Sequence, residues 1–153
     1  MKKLFLVLFI CLTVSFVAGG AQDEGACLQL NSPKEELARS DVVFIGSVLE
    51  ISEYKSEKIY GRKRVNLGIL YKVRMSVERS WKGVKTKETS FLIYSGSPAS
   101  TLFRSMKQGE RFLVYAVSWK ALDELIVGDC MRTRKMQDAR EDLSQLGKGK
   151  KIK

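Results

Sequence analysis

Every second position from Val65 to Val77 is apolar: Val65, Leu67, Ile69, Tyr71, Val73, Met75 and Val77, with Asn66, Gly68, Lys72, Arg74 and Ser76 filling most of the gaps. A period of two sustained over this length predicts a long, half-buried strand, which bends and serves both sides of a curled sheet. Four shorter runs rich in β-branched and aromatic residues predict further strands at Val42–Ile51, Phe91–Tyr94, Arg111–Val117 and Leu125–Val127. Gly46 inside the first of these marks a bulge or bend. Trp81-Lys82-Gly83 and Ser95-Gly96-Ser97-Pro98 read as turns, and the polar stretch 52–64 as a loop or ragged hairpin tip. Two helices flank the strands. Ser32-Pro33-Lys34-Glu35 opens the first, with Ser32 as cap, Pro33 in the first turn and Glu35 reaching back to the cap. It carries Leu37 and Ala38 on its apolar side and ends near Ser40-Asp41. The second presents Met136, Ala139, Leu143 and Leu146 as one apolar stripe and stops at Gly147. Short links between neighbouring strands favour an antiparallel sheet, and closure removes its exposed edges. The expected fold is mainly β: a five-stranded, OB-fold-like closed antiparallel barrel with a short N-terminal helix and a C-terminal helix.

The front of the chain is of another kind. Lys2 and Lys3 precede an apolar run from Leu4 to Ala18, followed by the small residues Gly19, Gly20 and Ala21. This reads as a secretory signal peptide over residues 1–21, cut after Ala21 to leave Gln22 as the new terminus. The run falls short of the roughly 20 residues a membrane helix needs, and no later segment is long and apolar enough to span a bilayer. Phe9 and Ile10 ahead of Cys11 are too large for a lipoprotein cleavage site. The expected location is therefore secreted or periplasmic, with residues 22–147 as one domain. Cleavage lowers the net charge from +10 to +8, and Lys148, Lys150, Lys151 and Lys153 hold half of that excess. Residues 148–153 are expected as a basic, disordered tail with a weak attraction to anionic surfaces.

Two cysteines, Cys27 and Cys130, remain after cleavage. In an oxidising compartment they are expected to pair, closing a loop of about 100 residues and costing the unfolded chain roughly 4–5 kcal/mol; the alternative is two buried free thiols. The chain has no histidine, which removes imidazole-based triads and the commonest zinc ligand. No Gly-rich phosphate loop is present. Glu35-Glu36 and Glu141-Asp142 read as solvated charge on helix surfaces. An enzyme is not expected, nor is a cofactor or resident metal. Tyr71, Lys72, Arg74, Arg111, Phe112 and Tyr115 interleave rings with cations as nucleic-acid-binding barrels do, yet Phe112 and Tyr115 fall on opposite faces of one strand. No nucleic-acid partner is expected.

With these elements placed, the chain from Cys27 to Gly147 resembles the tissue-inhibitor-of-metalloproteinases family and its netrin-module relatives, in an exported bacterial form. Ser40-Asp41-Val42-Val43-Phe44-Ile45-Gly46 resembles the family's opening to its first strand, and Trp81-Lys82-Gly83 its aromatic-Lys-Gly turn. Gly109-Glu110-Arg111-Phe112-Leu113-Val114-Tyr115-Ala116 and Asp129-Cys130-Met131-Arg132-Thr133 resemble the later strand and the Cys-x-Arg-Thr segment of exported versions. The resemblance implies a protein-binding domain whose partner is a zinc metalloprotease, held at an edge made by Ala26, Cys27, Leu28 and Gln29 together with Tyr94, Ser95, Gly96 and Ser97. It also aligns Cys27 with the family's second cysteine, bonded to Cys130. Gly25 then stands where the first cysteine would fall, and Ser100-Thr101-Leu102-Phe103 occupies its partner's place. A terminus at Gln22 would leave five residues ahead of Cys27 and obstruct a zinc-chelating amine there. The second reading is a surface adhesion or scaffold module that uses the lysine-rich end on an anionic partner.

Overall fold

The computed structural model describes residues 30–54, 59–60, 63–64, 70–94, 101–128 and 130–153. The expected leader, the cleavage point, Cys27 and the first half of the Val65–Val77 row lie outside these residues. Helix α1 (Pro33–Arg39) leads into strand β1 (Val42–Tyr54). Two short strands, β2 (Ile59–Tyr60) and β3 (Lys63–Arg64), pair with each other before β4 (Leu70–Lys82) and β5 (Glu88–Tyr94). After helix α2 (Thr101–Ser105) come β6 (Arg111–Trp119), β7 (Glu124–Val127) and β8 (Arg134–Lys135). A 3-10 turn (Met136–Asp138), helix α3 (Arg140–Leu146) and β9 (Lys150–Lys151) complete the order. Seven of the strands form one sheet. The pairing path runs β1-β4-β5-β7-β6, and β6 pairs again with β1 through Val42↔Ala116 to Ser47↔Arg111. The architecture is mainly β, with α1 and α3 packed on one side of the sheet and α2 against the larger core on the other.

Helix α1 forms as its sequence requires. The Ser32 hydroxyl accepts from the Glu35 amide and the Glu35 carboxylate accepts from the Ser32 amide, so two otherwise orphaned donors are satisfied at once. At the other end, the Lys82 ammonium donates to the carbonyls of Leu37 (3.2 Å) and Ala38 (2.9 Å), a cation on the carbonyl-rich terminus.

Alternation along β1 and β6 feeds two cores. Val42, Phe44 and Val48 of β1 join Phe112, Val114 and Ala116 of β6, with Val73, Met75 and Phe91, in the larger cluster. Val43, Ile45, Leu113 and Tyr115 face the other way and pack with Ala139 beneath α1 and α3. Both faces are covered, so these strands are continuously apolar and lack the period of two. Leu37, Met136, Leu143 and Leu146, the expected helix stripes, all border this second cluster. A third cluster of Leu70, Leu92 and Leu122 closes one end.

Several expectations change on the structure. The inward row holds at Val73, Met75 and Val77, but Leu70 is buried and Tyr71 only half-buried. The cause is a register slip between Val48↔Met75 and Glu50↔Arg74, which rotates the end of β4 toward the third cluster. Strand β4 continues through Trp81 to Lys82, so the turn begins at Gly83. The expected all-antiparallel sheet contains one parallel pairing, β5 with β7 at Leu92↔Ile126 and Ile93↔Val127, because the β6–β7 hairpin reverses the chain a second time. The C-terminal helix is broken at Ala139. Residues 148–153, expected as a disordered tail, include an edge strand: Lys150 and Lys151 pair with Ser80 and Arg79, and the Ile152 amide donates to the Glu78 carbonyl. Strand β5 leaves β4 at Ser76↔Glu88, so the edge beyond it is open to the returning C-terminal segment.

Gly46 sits at a register shift in β1, opposite both Val77 and Phe112. A Cβ there would lie 2.1 Å from the Ser76 carbonyl oxygen. Gly46→Ala should cost about 1–3 kcal/mol, read as a lower urea midpoint with an unchanged slope.

Candidate functional site

Of the eight residues expected to form a binding edge, seven lie outside the described set: Ala26, Cys27, Leu28, Gln29, Ser95, Gly96 and Ser97. Tyr94 is placed as the last residue of β5, paired with Leu70. The topology places the described residues that border these segments. Strands β5 and β7 run parallel with Ile93 opposite Val127, so Tyr94 and the segment leading to Cys130 leave the sheet at the same end. The described chain starts at the exposed Leu30, 42% accessible, and the neighbouring Asn31 carbonyl accepts from Arg132 Nη1 at 2.9 Å. Arg132 lies two residues beyond Cys130 and Asn31 four beyond Cys27.

Arg132 is the centre of a buried polar cluster. Its Nε donates to Asp142 Oδ1 at 2.7 Å and its Nη2 to Asp142 Oδ2 at 3.1 Å, while Nη2 also meets Glu141 Oε2 at 2.7 Å. Tyr115 donates its hydroxyl to Asp142 Oδ1 at 2.9 Å, and Arg134 Nη1 stands 3.5 Å from Oδ2. Asp142 is 0% accessible. Its neighbours supply the compensation that a buried charge requires. Hydrogen bonding to Asp142, joined by Glu141, holds the Arg132 guanidinium above the usual arginine range against the opposing cost of burial. Thr133 completes the joint, accepting from the Tyr115 amide at 2.8 Å and donating to the Tyr115 carbonyl at 2.9 Å. This overturns the reading of Glu141-Asp142 as solvated surface charge: Glu141 remains exposed, Asp142 does not. Glu36 is likewise buried and accepts from Asn31 Nδ2 at 2.8 Å.

Burial first, and then the Asp142 charge, push the Tyr115 phenol well above its ordinary value. The folded state therefore retains a proton that the unfolded chain releases above about pH 10. Stability from this group is complete below that pH and declines as pH rises through it. Denaturant midpoints measured between neutral pH and the alkaline range should fall more steeply for the native chain than for Tyr115→Phe.

The residues that carry the family resemblance occupy joints. Ser40 is buried. The Asp41 carboxylate accepts from the Ser118 amide at 2.6 Å, which holds its pKa below the usual carboxylate range. Gly83, at φ +75, lies so close to Asp41 that a Cβ would stand 2.3 Å from its carbonyl oxygen. Trp81 Nε1 donates to the Gly147 carbonyl at 3.2 Å. The contacts of Asp41, Gly83 and Trp81 join separate elements, and they account for those three residues through the fold.

A cleft of about 620 Å³ opens where α3 and the C-terminal segment meet the outer face of β4 and β6. Ile45, Trp81, Met136 and Leu143 make its apolar wall, and Arg79, Arg111, Lys148, Lys151 and Glu78 its charged rim. Arg111 is spent on Glu78 in a two-pronged pair at 2.9 and 2.6 Å, and that pairing holds the Glu78 carboxyl low. Arg79 donates to the Lys148 carbonyl. Little in the sequence signals this cleft, because its cations are dispersed between positions 79 and 151.

The other candidates are already committed elsewhere. Lys72 pairs with Glu124 at 2.7 Å and Arg74 with Glu50 and Glu88 at 3.1 and 3.0 Å. Phe112 and Tyr115 are fully buried and closed to a stacking base, and Tyr71 stacks on Phe103 with ring centroids 4.2 Å apart. Among the described residues, no group of three or more Asp, Glu or Cys has the geometry to hold a metal ion, and no helix is long and apolar enough to cross a membrane. No protein-family model and no curated protein matches the chain.

Proposed function

We propose that the protein is an exported, non-enzymatic binding domain of the metalloprotease-inhibitor type, built on a closed OB-type barrel. Support for the barrel comes from the cyclic pairing of β1, β4, β5, β7 and β6, with the β5–β7 step parallel and the others antiparallel. The observation that carries the binding reading is the shared exit of β5 and β7. It delivers Tyr94 and the approach to Cys130 to one end of the sheet, and the Arg132–Asn31 bond brings the chain leaving Leu30 beside the same segment. A Cys27–Cys130 disulfide would then clasp the residues around Ala26–Gln29 next to the Tyr94–Ser97 loop, and the exposed Leu30 would extend that edge with apolar surface. The partner is another protein, and a zinc metalloendopeptidase is the one the resemblance names. The purified mature chain should inhibit at least one member of a panel of such proteases, and Leu30→Glu with Tyr94→Ala should abolish that inhibition while melting cooperatively. A chain inert against the whole panel removes the reading. Sequencing the exported protein's N-terminus tests the cut after Ala21.

The second reading, a surface module that holds an anionic partner through Lys148, Lys150, Lys151 and Lys153, is favoured by the exposure of all four. Because Lys150 and Lys151 belong to an edge strand, charge-neutral substitution to glutamine is the clean test, and raised salt should reproduce its effect.

A further inference from the structure

The cleft beneath the C-terminal segment combines a fixed apolar wall with two lysines, Lys148 and Lys151, that have no carboxylate partner among the described residues. Ile45 is part of the second core, and Trp81, Met136 and Leu143 pack against it, so the wall is continuous with the interior. The Trp81 indole is held from two sides. Its Nε1 bonds the Gly147 carbonyl, and Gly149 lies on its face so closely that a Cβ would stand 2.7 Å from Cε2. Such a surface is formed in advance of any ligand, which lowers the ordering cost of binding. The rim is electrostatically unbalanced. Among the described residues, Glu78 is the only carboxylate lining it, and it is occupied by Arg111. Among the described residues, no carboxylate pairs with Lys148 or Lys151, and Arg79 bonds only a backbone carbonyl through its side chain. The volume falls within the roughly 300–1,000 Å³ range of small-ligand sites.

From this pairing of an apolar wall with uncompensated cations we infer that the cleft binds a small anionic amphiphile. Its acyl or aromatic body lies on Ile45, Met136, Leu143 and the Trp81 ring. Its carboxylate, sulfate or phosphate head meets Lys148 and Lys151, with Arg79 beside them. The site is separate from the proposed protease-binding edge: β4 carries the cleft residues Glu78, Arg79 and Trp81 toward one end and Leu70, Tyr94's partner, at the other.

The chain contains two tryptophans, Trp81 and Trp119, so Trp119→Phe leaves Trp81 as a reporter inside the cleft. Decanoate and decyl phosphate, kept below their micelle concentrations, should each change its fluorescence saturably, with one-to-one stoichiometry by calorimetry. Decanol and inorganic phosphate separate the two halves of the ligand, and each should bind at least about tenfold more weakly, one lacking the head and the other the body. Lys148→Gln with Lys151→Gln should weaken the two anions by about tenfold and leave decanol unchanged; both side chains are exposed, and an unchanged melting temperature confirms the fold. Equal affinity for decanol and decanoate overturns the inference. So does phosphate binding as tightly as decyl phosphate, or an affinity for the anions that survives the double substitution.

Discussion

Asp142→Ala will destabilise the protein by roughly 3–5 kcal/mol, the range seen when one member of a buried ion pair is removed. The magnitude follows from what is left behind. Arg132 would keep its charge in a site where its own side chain is only 7% accessible, and the Tyr115 hydroxyl would lose its acceptor at 2.9 Å. Glu141 cannot substitute, because its carboxylate is 59% accessible and screened by water. The damage should not stay local. Arg132 ties the Asn31 carbonyl to α3, and Thr133 ties the same segment to β6, so hydrogen exchange should quicken together in α1, α3 and the outer face of β6. Arg132→Met with Asp142→Leu, which removes both charges and restores apolar volume, should recover most of the loss. If Asp142→Ala alone leaves the urea midpoint within about 0.5 kcal/mol of the native chain, the cluster is not the joint described.

Serine at both Cys27 and Cys130 will cost roughly 4 kcal/mol, because the proposed bond closes a loop of about 100 residues and its loss returns that freedom to the unfolded chain. For a domain of this size the thermal midpoint should drop on the order of 10–15 °C. A strong reductant applied to the native chain should produce the same shift, and the serine variant should be indifferent to it. The Arg132–Asn31 bond lies close in sequence to both cysteines, so the two effects should couple: Arg132→Met on the serine background should cost more than it does with the bond intact, because each anchor positions the other. Peptide mapping without reduction that finds the two sulfurs unlinked defeats the proposal.

The legible part of the sequence was local. The Ser32–Glu35 capping box, the break at Gly46 and the strands starting at Val42 and Arg111 all arise within a few residues of chain. The α3 stripe is equally readable, and Asp142 stands three residues after Ala139 and four before Leu146, on the side of the helix that the stripe buries. What makes an acidic residue tolerable there is Arg132, ten positions earlier in the segment between β7 and β8, and no periodicity reports such a partner. The parallel β5–β7 pairing was hidden for a related reason. Short links suggest antiparallel neighbours, while β7 finds β5 only after the chain has reversed through β6. The lysine-rich end misled by composition: its charge suggested a solvated tail, yet an unpaired stretch of β4 offered it backbone partners that composition cannot anticipate.

That last docking has a practical consequence. The edge of β4 around Glu78–Ser80 is sealed by little more than Lys150, Lys151 and Ile152. A variant trimmed before Gly149 would bare those amides and carbonyls, together with one face of the Trp81 ring, to any other molecule in solution. Two trimmed copies would then find in each other the strand both had lost, and a preparation that was monomeric at full length would form dimers and larger species as it is concentrated.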